Sequence, residues 1–419
     1  MFVCDSIIES VHGREILDSR GNPTVEAEVR LRSGMTFRGI SPSGASTGEH
    51  EALELRDNNP SRYGGKGVTH AVNNITTIIS KAVSGMQCTD QFKIDEAMLK
   101  CDGTADKSNL GANAVLAVSI ACLNAGAYIS RQPVYRYIGG IAGRTLPVPM
   151  MNVINGGAHA SNNIDIQEFM LVPMGPPSFR EGVRRCAEVY QKLKDIIKKR
   201  GFSAAVGDEG GFAPNLKDDS EAIELILTAV ELAGYKYPED FMISLDVAAS
   251  EWVTDDSYIM PKRNVRFSSG ELIKNWVNLC ARYPIFSIED PLGEDDWNGW
   301  QKLTADLDGL GLYGVVGDDL FVTNTERLRK GIKLKAGNAI LIKPNQIGTI
   351  TETVSAVSLA RANGFRTILS HRSGETEDTV IADLAVGLNA GFIKTGAPCR
   401  GERVAKYNRL IRIEDELDG

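Results

Sequence analysis

The composition of the chain is that of a globular protein. It has 419 residues, 42% of them hydrophobic, and this length predicts about two or three domains. The net charge of -8 disfavours nucleic acid as a primary partner, because binding to phosphate backbones depends on clustered Lys and Arg. Seven scattered cysteines without a C-x-x-C pair disfavour a disulfide framework or a thiolate zinc site, and they predict a reducing, cytoplasmic location.

Two stretches bear on secretion and membranes. The first residues carry Asp5 and Glu9 where a signal peptide needs a basic region and then an uninterrupted apolar one, so we predict no secretion by that route. Residues 111–129 are the most membrane-like stretch, but they are rich in Ala and Gly and are interrupted by Asn113 and Asn124. We therefore predict a buried helix there and no membrane span.

The first part of the chain predicts a small α+β domain. VEAEVRLR at residues 25–32 alternates apolar and polar side chains, and a Ser-Gly turn leads to a second such run, which indicates an antiparallel sheet. Helical spacing follows at residues 68–83, 90–100 and 109–130. Glycines and prolines at residues 138–149 then interrupt the pattern, so we predict an N-terminal α+β domain over residues 1–140 and a second domain over residues 141–419.

The second domain repeats a unit in which an apolar run ends in a polar residue and is followed by a loop and an amphipathic helix. The runs lie at residues 242–247, 284–291, 313–320, 339–346, 366–373 and 391–398. Helices are predicted at residues 221–233, 269–282, 323–333, 349–363 and 379–389. This alternation fits a doubly wound sheet or a (β/α)8 barrel. We favour the α/β barrel, because the polar run ends would then share one rim, where barrel active sites form.

The residues that end these runs predict the chemistry of the rim. They are Asp246, Glu289, Asp318, Lys343, His371 and Lys394. The three carboxylates suit Mg²⁺ better than Zn²⁺, because Mg²⁺ prefers hard oxygen ligands, and acids that only cap surface loops are the alternative. Burial beside a metal can hold a lysine neutral, so that it acts as a base. For both lysines, simple pairing with a rim carboxylate stays open.

Two glycine-containing segments of the second domain carry further candidates. Residues 205–215 frame Glu209 with glycines, as expected where backbone approaches a ligand, although an acid-rich turn is the alternative. Residues 155–170 combine a glycine turn with His159 and with Glu168 at the start of an apolar patch. A lone histidine is more often structural than catalytic, so a functional role for His159 is supported only by the other candidate residues around it.

Two loops complete the candidate set. Residues 41–57 are small and polar before a predicted helix, and they fit either a lid or a plain linker. Arg372 and Ser373 lie at a strand-to-helix junction, which predicts an anion site. The sequence contains no Walker A motif, no G-x-S-x-G elbow and no H-E-x-x-H, so nucleotide hydrolysis and serine-hydrolase chemistry have no support.

Seven sequence blocks resemble the enolase family of 2-phosphoglycerate dehydratases, in the order of that family. They are DSRGNPTVE (18–26), SGASTGEHEALELRD (43–57), GDEGGFAPN (207–215), SIEDP (287–291), KPNQIGT (343–349), SHRSGETED (370–378) and IKTGAP (393–398). The resemblance extends over almost the whole chain, and the form HASNNIDIQEF looks more like bacterial members. It implies a smaller N-terminal α+β domain and a C-terminal α/β barrel of irregular topology.

The resemblance implies a catalytic centre with two Mg²⁺ ions. Asp246, Glu289 and Asp318 would hold the first ion, and Ser46 in the predicted lid would ligate the second. Lys343 would be the base that takes the proton from C2 of 2-phosphoglycerate. The reaction implied is the reversible dehydration of 2-phosphoglycerate to phosphoenolpyruvate in glycolysis and gluconeogenesis.

The remaining roles also come from the resemblance. Glu209 would be the acid that assists departure of the C3 hydroxyl, and Glu168 beside it would help to keep one carboxyl protonated. The other candidates bind substrate: His159, Arg372 and Ser373 at the phosphate, Lys394 at the carboxylate and His371 at the leaving-group side. The family further implies a homo-oligomer, either a dimer or an octamer.

Two other functions compete with this interpretation. A related acid-sugar dehydratase or cycloisomerase would share the carboxylates, but the SHRSG and SGASTG segments disfavour it. A binding protein that has lost catalysis would share the fold, but the presence of Lys343 and Glu209 disfavours it. Pro344 departs from many family members, and we expect it to alter local hydrogen bonding after the strand.

Overall fold

The computed structural model describes residues 6–44, 48–255 and 257–418. Its β-strands are β1 (Ile8–Leu17), β2 (Pro23–Leu31), β3 (Thr36–Ser41), β4 (Val148–Asn155), β5 (Glu168–Pro173), β6 (Phe241–Asp246), β7 (Tyr258–Met260), β8 (Val265–Phe267), β9 (Ile285–Glu289), β10 (Gly314–Gly317), β11 (Ala339–Ile342), β12 (Arg366–Ser370) and β13 (Phe392–Lys394). The α-helices are α1 (Thr69–Asn74), α2 (Ser80–Val83), α3 (Gln91–Asp102), α4 (Ala112–Ile129), α5 (Val134–Gly139), α6 (Phe179–Lys199), α7 (Asp219–Leu232), α8 (Ser269–Arg282), α9 (Trp297–Asp308), α10 (Thr325–Leu334), α11 (Pro344–Ile347), α12 (Ile350–Ala362), α13 (Val380–Gly387) and α14 (Gly401–Asp418).

The chain forms two compact units. The sheet unit comprises the residues up to Thr145, Ile342–Leu359 and His371–Ala390, and the barrel unit comprises Leu146–Leu341, Ala360–Ser370 and the residues from Gly391 onward. These units are defined by spatial contact, so each draws on separate parts of the chain. The predicted division of the sequence between residues 140 and 141 stays a prediction.

The sheet unit contains the predicted antiparallel sheet, in the order β1-β2-β3. Helix α4 packs against β2 and β3, and Gly39 in β3 permits the close approach, because a Cβ there would lie 2.3 Å from the carbonyl oxygen of Ala117. Among the described residues, α4 is the one helix long and apolar enough to cross a membrane, and 83% of it is buried. That burial fits the core helix predicted for residues 111–129.

The barrel unit contains a closed barrel with the strand order β10-β11-β12-β13-β4-β5-β6-β9. This confirms the predicted α/β barrel and excludes the doubly wound sheet. Its interior is packed with apolar side chains, including Met150, Met170, Phe286, Leu341 and Phe392. At the start of α8, Ser268 and Glu271 form a reciprocal capping box.

The prediction of six barrel strands was incomplete, because β4 and β5 complete the barrel. These two strands follow each other without an intervening α-helix, so the strand-helix alternation used to find the others does not apply to them. β5 also runs antiparallel to both neighbours, β4 and β6. The amino end of β5 therefore lies at the same rim as the carboxyl ends of its neighbours.

Candidate active site

Three buried acids lie together at one rim of the barrel. Asp246 and Glu289 are the last residues of β6 and β9, and they are register partners in that parallel pair. Glu168 is the first residue of β5 and is the register partner of Asp246. The side chains are at most 6% exposed. Because buried carboxylates are costly unless they are paired, this cluster requires a cation or a proton.

Lys394, the last residue of β13, supplies positive charge to this cluster. Its Nζ lies 2.7 Å from Oδ2 of Asp246, 2.8 Å from Oε1 of Glu289 and 3.4 Å from Oε2 of Glu168. Burial disfavours the ammonium form, but these carboxylates outweigh it and raise the pKa of Lys394 well above its usual value. The contacts show the pairing with rim carboxylates that was one of the two sequence alternatives, and the direction of the shift favours the ammonium form over a neutral base.

Glu168 and Glu209 form a pair of buried carboxyl groups. Their side chains are within hydrogen-bonding range, and such a contact needs a proton on one of the two. Burial and, next, the negative charge of Glu209 raise the pKa of Glu168 well above its usual value, while Lys394 partly opposes this rise. The direction of this shift agrees with the expectation that like charges at close range help to keep one carboxyl protonated.

The turn that carries Glu209 is fixed by backbone hydrogen bonds on both sides. The amide of Ala397 donates to the Glu209 carbonyl at 2.9 Å, and Nη2 of Arg403 donates to the Asp208 carbonyl at 3.0 Å. Gly210 has a φ of +86°, a left-handed conformation that glycine adopts without strain. The Glu209 carboxyl is held in turn by Nδ2 of Asn152, which donates to Oε2 at 2.9 Å. These contacts pre-organise the predicted acid.

His159 lies directly beside the carboxyl pair. Its Nδ1 is 3.6 Å from Oε1 of Glu168 and 3.7 Å from Oε1 of Glu209, and no hydrogen bond to protein satisfies this nitrogen. A cavity of about 700 Å³ lies beside His159. Its lining includes His159, Ser161, Gly207 and Lys262. A buried polar atom next to a cavity marks a place where a polar ligand can bind.

Comparison with known protein families agrees with this geometry. A family described as "Enolase, N-terminal domain" matches residues 8–138, and one described as "Enolase, C-terminal TIM barrel domain" matches residues 143–419. The two matches extend over nearly the whole sequence. The chain belongs to the enolase family. The resemblance read from the seven sequence blocks is thereby confirmed.

The acids of this enolase-family barrel are compatible with Mg²⁺. Asp246, Glu289 and Asp318 come from the ends of β6, β9 and β10, which are neighbours in the barrel, and all three side chains are buried. They offer only hard oxygen donors, the ligand type that Mg²⁺ prefers. The ligand atoms of Asp318 also lie within 4.8 Å of those of Asp290 and Asp319. The number of ions and the predicted ligand set remain predictions.

Four predicted residues of the enolase site belong to the sheet unit. Lys343 directly follows β11, and His371, Arg372 and Ser373 directly follow β12. The last three are buried and Lys343 is half-buried. Their predicted roles at the substrate stay predictions.

Arg372 makes a bidentate contact inside the sheet unit. Its Nη1 and Nη2 lie 3.0 and 3.1 Å from the two carboxylate oxygens of Glu51, which belongs to the predicted lid segment. The backbone of Ser43 at the start of that segment also exchanges two hydrogen bonds with Gly374, at 2.9 and 2.8 Å. The segment is therefore anchored to the Arg372 loop, and its predicted role as a lid or a linker stays open. Ser46, the predicted ligand of the second ion, lies outside the described residues.

Pro344 lies at the start of a short helix. It is the first residue of α11, where a backbone N–H has no partner within the helix. The expected effect of Pro344 on the hydrogen bonding of the strand stays a prediction.

Two residues that contact the Glu209 segment were not predicted from the sequence. Asn152 lies within β4, a strand that was not predicted, and it contacts the Glu209 carboxyl. Arg403 in α14 is completely buried and supports the Glu209 turn. The signals available were an asparagine inside an apolar run and an arginine within the last helix. Neither signal is specific without knowledge of the neighbouring strand.

Proposed function

We propose that this enolase-family protein catalyses the reversible, Mg²⁺-dependent dehydration of 2-phosphoglycerate to phosphoenolpyruvate. The observation that carries the proposal is the buried Glu168–Glu209 pair beside the Lys394 ammonium. Dehydration of a hydroxy acid needs an acid for the leaving hydroxyl and positive charge near the substrate carboxylate. The pair supplies the first requirement and Lys394 supplies the second.

The reaction begins with removal of a weakly acidic proton from C2. We assign this step to Lys343, on the basis of the family resemblance. The charge that develops next to the substrate carboxylate is stabilised by the Lys394 ammonium, which stays protonated because of its carboxylate partners. When bound, Mg²⁺ would supply further positive charge at that carboxylate through the oxygens of Asp246, Glu289 and Asp318.

Departure of the C3 hydroxyl needs a proton donor. We assign this role to Glu209, whose proton is shared with Glu168, and whose carboxyl is oriented by Asn152. His159 borders the same pair, and the family resemblance assigns it, together with Arg372 and Ser373, to the substrate phosphate. His371 is assigned to the leaving-group side on the same basis.

A direct assay tests this proposal. Purified full-length protein is incubated with 2-phosphoglycerate and Mg²⁺, and formation of the enol phosphate is followed by its ultraviolet absorbance. We expect activity that EDTA and Lys343→Ala each abolish, whereas Lys333→Ala, at an exposed lysine of α10, retains it. Turnover of an acid sugar in place of 2-phosphoglycerate would favour the related dehydratases. Folded, Mg²⁺-loaded protein without any turnover would favour a non-catalytic role.

The biological setting follows from the same proposal. A 2-phosphoglycerate dehydratase would act in glycolysis and gluconeogenesis in the cytoplasm, and we propose that it does so as a homo-oligomer. Native mass spectrometry at several protein concentrations distinguishes a monomer from a dimer or an octamer.

A further inference from the structure

Asp290 occupies a constrained position between two predicted metal ligands of the barrel unit. It follows Glu289 directly, is 3% exposed, and has a φ of +40°, which non-glycine residues adopt rarely and at a cost in energy. Its own backbone is held on both sides, because its amide donates to the Val316 carbonyl and its carbonyl accepts from the amide of Ala249, each at 3.0 Å. Such a strained and fixed backbone is typical of functional sites.

The Asp290 carboxylate binds the backbone of the loop that carries the third carboxylate. Oδ1 accepts a hydrogen bond from the amide of Asp318 at 2.9 Å, and Oδ2 accepts one from the amide of Asp319 at 2.8 Å. The loop then continues as a tight turn, in which the amides of Phe321 and Val322 donate to the Asp318 carbonyl at 3.1 and 2.7 Å. The peptide units on both sides of the Asp318 Cα are therefore fixed in orientation.

This arrangement determines where the Asp318 side chain points. The direction of a Cα–Cβ bond follows from the backbone on either side of it, and here Asp290 fixes that backbone from the end of the neighbouring strand. The same two amides compensate the burial of a carboxylate that would otherwise meet only other acids. Asp290 thus links the end of β9, with Glu289, to the loop after β10, with Asp318.

We propose that Asp290 is a positioning residue of the metal centre: it orients the Asp318 carboxylate toward Mg²⁺ and keeps it in register with Glu289. This inference rests on the proposed function, which makes Asp318 and Glu289 ligands of Mg²⁺. The competing view is that Asp290, Asp318 and Asp319 together form a separate cation site, since their ligand atoms lie within 4.8 Å of one another. In that case the acidic charge of the cluster, and not the two amide bonds, would determine cation binding.

Two asparagine variants separate these explanations. Asp290→Asn replaces one acceptor oxygen with an NH₂ group that cannot accept a hydrogen bond from an amide. Asp319→Asn removes one negative charge from the same cluster but leaves both amide bonds to Asp290 in place. The dissociation constant of Mg²⁺ is measured by calorimetry on the full chain without substrate, and circular dichroism verifies the fold of each variant.

We expect Asp290→Asn to weaken Mg²⁺ binding by about 10- to 100-fold, the usual effect of removing a group that orients a metal ligand. Asp319→Asn should weaken it by less than about fivefold, the scale of a screened charge interaction. An equal loss in both variants, or no loss in Asp290→Asn, would overturn the positioning role. If the wild-type protein binds Mg²⁺ and dehydrates 2-phosphoglycerate, either of those outcomes leaves the proposed function intact.

A second measurement needs no variant. Amide hydrogen exchange of the wild-type protein reports whether the amides of Asp318 and Asp319 are bonded in solution. Protection of both amides, in the absence as well as in the presence of Mg²⁺, is expected from bonds that precede metal binding. Rapid exchange of both amides without Mg²⁺ would show that Asp290 does not hold the loop, and the inference would fail.

Discussion

Replacing Lys394 tests the electrostatic balance of the rim most directly. Lys394→Met keeps the length and apolar character of the side chain but removes the ammonium that lies within 3.4 Å of three carboxylates. Removing one partner of a buried ion pair costs about 3–5 kcal/mol, because the remaining charge is left without compensation. In a unit of this size each kcal/mol lowers the unfolding midpoint by about 2–4 °C, so we expect a loss of roughly 6–20 °C at neutral pH.

An exposed lysine provides the matched control. Lys302 pairs with Asp306 at 2.7 Å, but its side chain is 59% exposed, and exposed pairs contribute about 0–1 kcal/mol. Lys302→Met should therefore change the unfolding midpoint by only a few degrees, on the order of 0–4 °C. The comparison holds the chemical change constant and varies only burial and the number of carboxylate partners.

The pH dependence of Lys394→Met provides a further test. Lys394 opposes the rise in the pKa of Glu168, so without the ammonium that pKa should lie still further above its unfolded value, and stability should fall more steeply as pH rises through that range. The deficit relative to wild type should thus be small near pH 4 and largest near pH 7, with both values approximate. Differential scanning fluorimetry across this range measures it. A deficit that is equal to that of Lys302→Met, or that does not change with pH, would refute the reasoning.

Three further predictions concern the same rim and its supports. At pH values above about 5, Glu168→Gln should raise the thermal unfolding midpoint, because a folded-state pKa above the unfolded value costs stability as pH rises. The same variant should lower activity. An unchanged unfolding midpoint across a pH series would contradict this prediction. Arg263→Ala breaks the contact of this partly exposed side chain with the buried Asp165, at 2.7 Å, and should speed hydrogen exchange in the β7–β8 hairpin, which unaltered protection would disprove. Gly396 has a φ of +81°, and a Cβ there would lie 2.8 Å from a backbone oxygen, so Gly396→Ala should lower the free energy of unfolding by more than about 1 kcal/mol. Gly401 has open space around it, so Gly401→Ala should leave the free energy of unfolding nearly unchanged. Denaturant unfolding measures both variants.

The strands with a following helix could be predicted from local patterns alone. Each predicted run in the second half of the chain overlaps the strand that the structure shows, and Asp246, Glu289 and Lys394 are indeed the last residues of theirs. This succeeded because apolar runs, capping residues and glycine turns act over a few residues, and those interactions are present in the sequence itself. The identity of the rim residues followed from the same local patterns.

The strand pair β4–β5 required the tertiary structure. An antiparallel strand that follows its neighbour through a long polar loop has no helix to mark it, and its burial depends on strands far away in the sequence. That reversal brings Glu168, at the start of β5, to the rim where Asp246 ends β6. The sequence could single out Glu168 at the start of an apolar patch, but only the fold showed that it lies beside Asp246.

The protonation states were also decided by tertiary structure. Two lysines at strand ends look alike in sequence, but the three carboxylates around Lys394 keep its ammonium charged. The role of Asp290 depends on a loop that follows the neighbouring strand, some thirty residues further along the chain, roughly one strand-helix-strand unit. The sequence alone determined which side chains end the barrel strands and to which family the chain is similar. Only the fold determined which of these charges meet, because electrostatic interactions depend on distance and burial in space and not on separation along the chain.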